Sequence, residues 1–137
     1  MSARAVVLDA SAVLAWLHRE PGWEAVENAL LAQPCRVSAA NQAEIIARAL
    51  DRGVTPDAIT AILAGLAYEV ADVTAADGQA AGHLRTATRP LGLSLGDRLC
   101  LALAQRTGAS VLTADRPWLQ IAAPLGLRIV CIRPNAS

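Results

Sequence analysis

No lysine and no phenylalanine occur in the 137 residues, and aromatic side chains make up only 3%. Without lysine, the twelve arginines are the whole basic complement, and any chemistry that needs a lysine amine is excluded. Without phenylalanine, the core must be built from Ala, Leu, Val and Ile. The cysteines are few and odd in number. Cys35, Cys100 and Cys131 lie in apolar contexts at a spacing that fits no zinc motif. They read as buried free thiols in a reducing compartment. No apolar run approaches the length of a membrane span. The apolar stretch at the N-terminus is interrupted by Asp9, and no small-residue cleavage site follows, so it reads as strand and helix and not as a secretion signal. A cytoplasmic location is expected.

Hydrophobic residues make up 54% and charged residues 18%, which suits one compact domain over residues 1–137. Formal net charge is zero, but setting four of the twelve acids aside as metal ligands leaves eight acids against twelve arginines, or +4. That balance permits nucleic-acid binding, and the arginine fork suits phosphate. Short strand-like runs alternate with helical ones, the pattern of an α/β domain with a mostly parallel sheet. Strands are expected at 4–8, 35–38, 69–73, 109–113 and 127–132. Helices are expected at 11–18, 23–33, 40–52, 56–68, 74–89 and 94–107, with a short one opening at Asp115-Arg116-Pro117.

Four carboxylates carry most of the information: Asp9 in VVLDASAVLAWL, Glu44 in SAANQAEIIARAL, Asp97 in LSLGDRLCLALA and Asp115 in ASVLTADRPW. Each lies in or beside an apolar run, where an unpartnered carboxylate is costly. A hard divalent cation, Mg²⁺ or Mn²⁺, offsets that cost. In a parallel sheet the crevice lies beyond the carboxyl ends of the strands, and all four acids can reach one end. Converging carboxylates also repel, so at least one should be harder to ionise than usual.

Each acid has an ordinary reading as well. Asp97 completes a capping box with Ser94, Asp115 is placed to N-cap the helix after it, and Glu44 stands four residues before Arg48, a common surface ion pair. Asp9 is the hardest to dismiss. Ser11 and Thr113, in D-A-S and T-A-D, are placed either to support the acids or to cap the backbone. His18 and His83 have no partner spacing, and Trp16, Trp23 and Trp118 read as core or interface anchors.

With their flanks, these segments resemble the PIN-domain ribonucleases, and in particular the VapC-type toxins of type II toxin–antitoxin systems. VVLDASAVLAWLHREPG, SAANQAEIIARAL, LGLSLGDRLCLALAQRTGASVLTADRPW and the closing LRIVCI carry the likeness, which runs from the first strand to the last. The resemblance implies a three-layer α/β/α sandwich around a short five-stranded sheet. It implies a Mg²⁺- or Mn²⁺-dependent endoribonuclease that cuts single-stranded or loop RNA with metal-activated water. A homodimer and a small antitoxin that inhibits it are implied too. Asp9, Glu44, Asp97 and Asp115 would form the acidic, metal-holding quartet, with Ser11 and Thr113 in support. Two positions depart from the pattern: Asn41 stands where a small or apolar residue is expected, and Asp115 is followed by Arg116-Pro117 and not by another acid. The second departure favours occupancy by one metal.

Phosphatases of the haloacid-dehalogenase type and response-regulator receivers also place an Asp after the first strand, but both need further acids and a lysine that this chain lacks. The remaining alternative is a PIN-like domain that binds RNA or a protein partner without cutting.

Overall fold

Five strands, all parallel, form one sheet in the computed structural model, which describes residues 4–134. They are β1 (Val6–Leu8), β2 (Cys35–Ser38), β3 (Tyr68–Ala71), β4 (Ser110–Thr113) and β5 (Ile129–Cys131), in the order β3-β2-β1-β4-β5. Parallel neighbours cannot be joined by a tight hairpin, so each connection carries helices. Between β1 and β2 run α1 (Ala10–Leu17) and α2 (Trp23–Ala32), and between β2 and β3 run α3 (Ala39–Asp51) and α4 (Pro56–Ala64). The third crossover holds α5 (Ala75–His83), α6 (Arg85–Thr88) and α7 (Leu95–Thr107), and the last holds a 3₁₀ segment, Arg116–Ile121, and α8 (Ala122–Leu125).

Strand alternation divides the core into two layers. Val6, Leu8 and Leu112 face a cluster with Val13, Val26, Ile45 and Ile59, contributed by α1 to α4. Val7, Val111 and Ile129 face the opposite way, towards Leu84, Leu99, Leu101 and Leu103 of the α5–α7 side. Trp118 is fully buried in this second layer, filling volume that a phenylalanine-free chain must find elsewhere. The fold is thus the three-layer α/β/α sandwich expected from the sequence.

Most boundaries fall within two residues of expectation, and the exceptions have local causes. The helix expected over 74–89 breaks after His83. Gly78 and Gly82 weaken it, and the chain restarts as α6 before a 3₁₀ turn at Pro90. The helix expected to reach residue 68 ends at Ala64, and Tyr68 joins β3, its hydroxyl donating to Gln42 Oε1 at 2.6 Å. The last strand, expected over 127–132, is confined to Ile129–Cys131.

One ion pair ties the α5–α7 layer together. Arg106 Nε and a terminal guanidinium nitrogen donate to the two oxygens of Asp77, at 2.8 and 3.1 Å, while Asp77 also completes a capping box with Thr74. These hydrogen bonds, Arg106 first, hold the buried Asp77 carboxyl below its ordinary value of 3.8 although burial opposes them. A lowered folded value means the contribution is fully present above the ordinary aspartate value and is lost as pH falls through the folded one. Asp77→Asn should therefore lower stability at pH 7 by about 1–2 kcal/mol. Urea midpoints of parent and variant, measured from pH 7 down to about 3, should converge; a gap that stays constant with pH would show that charge plays no part.

Candidate active site

Successive strands step one way from β1 through β2 to β3, and the other way from β4 to β5. The order therefore reverses between β1 and β4, where an open parallel sheet forms a crevice at its carboxyl end. Leu8 stands opposite Leu112, so the next residues outward, Asp9 and Thr113, meet across that crevice.

Asp9 is 3% exposed and is held from three directions. The Thr113 hydroxyl donates to Oδ2 at 2.6 Å and the Ser11 hydroxyl donates to the same oxygen at 3.0 Å, while the Ser11 amide donates to Oδ1 and makes Asp9 the N-cap of α1. Each hydroxyl in turn accepts a backbone N–H from the exit of β4: Ala114 to Ser11 Oγ at 2.9 Å and Asp115 to Thr113 Oγ1 at 3.0 Å. Ser11 and Thr113 therefore support Asp9 directly. Burial pushes the Asp9 carboxyl up to about 7, against the hydrogen bonds from Thr113 and Ser11 that lower it; repulsion from Asp97 is the smallest contribution. An acid with a raised value was expected from mutual repulsion, but withdrawal from water is the main cause.

Glu44 projects from the first turns of α3 towards the start of α7. Asn41 Nδ2 donates both to Glu44 Oε1 at 3.0 Å and to the Gly96 carbonyl at 3.1 Å, bridging the two helices. A Cβ at position 96 would lie 1.9 Å from Glu44 Oε1, so the glycine is what admits the carboxylate. The surface ion pair with Arg48, the ordinary alternative for Glu44, does not form among the described residues. Asn41, read from sequence as a departure, is the residue that positions Glu44; it is 1% exposed and its Oδ1 has no protein partner. A polar side chain on the buried face of α3 was the available signal.

Asp97 is a cap. Its Oδ2 accepts the Ser94 amide at 2.9 Å, and the Ser94 hydroxyl accepts the Asp97 amide at 3.1 Å. That role engages one oxygen and leaves Oδ1 without a hydrogen bond among the described residues. The neighbouring Cys100 thiol is fully buried and lifted well above its ordinary value, first by burial and then by the charges of Asp9, Asp97 and Glu44. The charges of three of the four expected acids thus reach one buried sulfur. Asp115 stands apart: it is exposed at the rim, and the side-chain cap expected of it is not formed. Trp118 turns into the core and does not line the site.

Among the described residues, no three His, Cys, Asp or Glu side chains are arranged to enclose a metal ion. The donor set nevertheless fits a hard divalent cation. It is all oxygen, it includes a carboxylate that burial makes reluctant to ionise, and the Asn41 side chain that holds Glu44 has an orphaned neutral oxygen, Oδ1.

The PIN domain family matches the chain over residues 6–124. No curated protein matches it by sequence. Among solved structures it is similar to VapBC2 from Rickettsia felis bound to a promoter DNA fragment, with 16% identity, a TM-score of 0.71, and coverage of 93% of this chain and 98% of that one. DNA-bound VapBC from Salmonella typhimurium aligns at 20% identity and TM-score 0.69 over 96% and 99% of the two chains. VapBC-1 from nontypeable Haemophilus influenzae aligns at 17% and 0.66 over 93% and 98%.

Two outcomes are expected of the site. Asp9→Asn mimics the protonated carboxyl, so without metal it should match the parent at pH 4. A raised folded value is a contribution present below the unfolded one and lost as pH rises through about 7. By pH 8 the variant should be the more stable by up to the order of 4 kcal/mol; melts in EDTA across this range check it, and parallel pH profiles would show that Asp9 ionises freely. Gly96→Ala should force Glu44 away from Asn41 while changing metal-free stability by no more than about 1 kcal/mol. Its rise in melting temperature on adding Mn²⁺ should shrink, and a full metal response would mean that the position of Glu44 is immaterial.

Proposed function

The chain belongs to the PIN-domain family, and on that footing we propose that it is a divalent-metal-dependent endoribonuclease, the toxin of a toxin–antitoxin pair. The observation that carries this reading is the desolvated Asp9, locked by Ser11 and Thr113 at the reversal of strand order, with Glu44 and Asp97 converging beside it. An acid held this way is poorly satisfied by protein alone.

Asp9, Asp97, Glu44 and, from the rim, Asp115 would hold Mg²⁺ or Mn²⁺. Such a cation, when bound, supplies the charge that activates water and offsets the developing charge on a phosphodiester. The chain's own part is placement. Ser11 and Thr113 fix the Asp9 carboxylate, Asn41 fixes Glu44, and the capping box fixes the start of α7 so that Asp97 faces them. In-line attack needs a splayed backbone, so single-stranded or loop RNA is the proposed substrate.

The solved structures it resembles include toxin–antitoxin complexes, which supports a small antitoxin as partner. We place its docking on the α1–α2 hairpin. A groove of about 500 Å³ runs there between α2 and α4, past Trp16, Leu30 and Leu66, and Leu31 beside it is 82% exposed. An arginine of the partner would enter the acidic site. Leu17 packs inward against the core, and Trp23 stacks on Arg19 at 4.2 Å. A homodimer, one domain spanning 1–137 and a cytoplasmic location complete the proposal; no helix among the described residues is long and apolar enough to cross a membrane.

Incubating the purified protein with single-stranded and structured RNA tests the activity. Cleavage is expected in Mg²⁺ or Mn²⁺ and not in EDTA, and Asp9→Asn or Asp97→Asn should reduce it by roughly a hundredfold or more while still melting cooperatively. RNA binding without cleavage in either metal would replace this reading with that of a PIN-like domain that binds without cutting.

A further inference from the structure

A second groove, of about 450 Å³, is lined by Ser11, whose hydroxyl holds Asp9, and by Asp115. Arg48 and Arg52 line it from the last turns of α3, and Arg133 lines it from beyond β5. Neither Arg48 nor Arg52 pairs with a carboxylate among the described residues; Glu44, the obvious partner for Arg48, is held by Asn41 instead. The two arginines are one helical turn apart, about 6 Å between their β-carbons, where like charges repel and gain by sharing an anion. Arg133 is steadied by its Nε, which donates to the Ala114 carbonyl at 3.2 Å, and touches Glu20 at only 3.9 Å, leaving most of its fork unused. The charge of Arg52 reaches His18, which also lines the groove and whose Nε2 has no protein partner. The groove carries three arginines against Glu20, Asp51 and Asp115, and among these six only Arg133 and Glu20 approach as a pair, at 3.9 Å.

We propose that this groove holds the RNA backbone on one side of the scissile phosphate, with Arg48, Arg52 and Arg133 as its phosphate-binding residues. The inference rests on the nuclease reading and adds to it the direction in which the substrate leaves the acids. Cations near the end of α3 also favour the helix dipole, but that role predicts a change in stability and none in affinity.

The test is fluorescence anisotropy with a fluorescein-labelled single-stranded RNA in EDTA, where cleavage is silent, together with cleavage kinetics in Mn²⁺. Arg48→Ala, Arg52→Ala and Arg133→Ala should each weaken binding about fivefold at low salt and reduce the slope of log affinity against log salt by about 0.7. In cleavage, KM should rise more than kcat falls, and Arg52→Lys should recover part of the affinity. Arg128→Ala, in a groove lined by Arg4 and Ser110 away from the acids, should change nothing. Equal losses in all four alanine variants, or lower melting points with affinity intact, would overturn the proposal. A parent that cleaves while the three groove variants bind normally removes the groove and leaves the nuclease. A parent that binds through these arginines yet never cleaves does the reverse, and a parent that does not bind RNA removes both.

Discussion

A carboxylate withdrawn from water at the point where the sheet reverses its strand order constrains the rest of this molecule. Asp9 cannot sit there unaided, and its hydrogen-bond donors come from both sides of the crevice: Ser11 from the start of α1, Thr113 from the end of β4. Those same hydroxyls accept the amides of Ala114 and Asp115, so the exit of β4 is shaped by the need to satisfy one acid. Even so, burial outweighs the hydrogen bonds. The protein keeps at its centre an acid that burial holds back from ionising, and groups perturbed in this way cluster at functional sites.

Asp97 shows that capping and site-building need not compete. A capping box engages one oxygen and orients the other, so the motif that begins α7 also aims an acid at the crevice. The two readings of Asp97 therefore do not exclude each other. For Asp115 the capping alternative is not realised, since its exposed side chain caps nothing.

The parts legible in the sequence were those with local causes. An acid ending a short apolar run, a threonine or serine followed three residues later by aspartate, and alternating strand and helix patterns marked the layers, the caps at Thr74 and Ser94, and the ends of β1 and β4. What escaped depended on contacts remote in the chain. Asn41 looked out of place because its partner, the Gly96 carbonyl, lies 55 residues away. Glu44 was offered Arg48 by helix spacing alone, a rule for solvated faces, whereas a half-buried carboxylate takes the better-shielded amide donor. The break after His83 was missed because the capping signal at Thr74 outweighed two interior glycines.

The pair Ser11 and Thr113, 3.4 Å apart in space, is separated by 102 residues in the chain. In chain order the central strand, β1, leaves a ribosome well before β4, the strand that completes one of its hydrogen-bonding edges. Contacts of such long sequence separation form late, because loop closure must precede them. A growing polypeptide thus carries Asp9, Glu44 and Asp97 before Thr113 is there to hold Asp9. Until β4 is made, the crevice at the reversal of strand order does not exist, and the acids of β1, α3 and α7 have nowhere to meet.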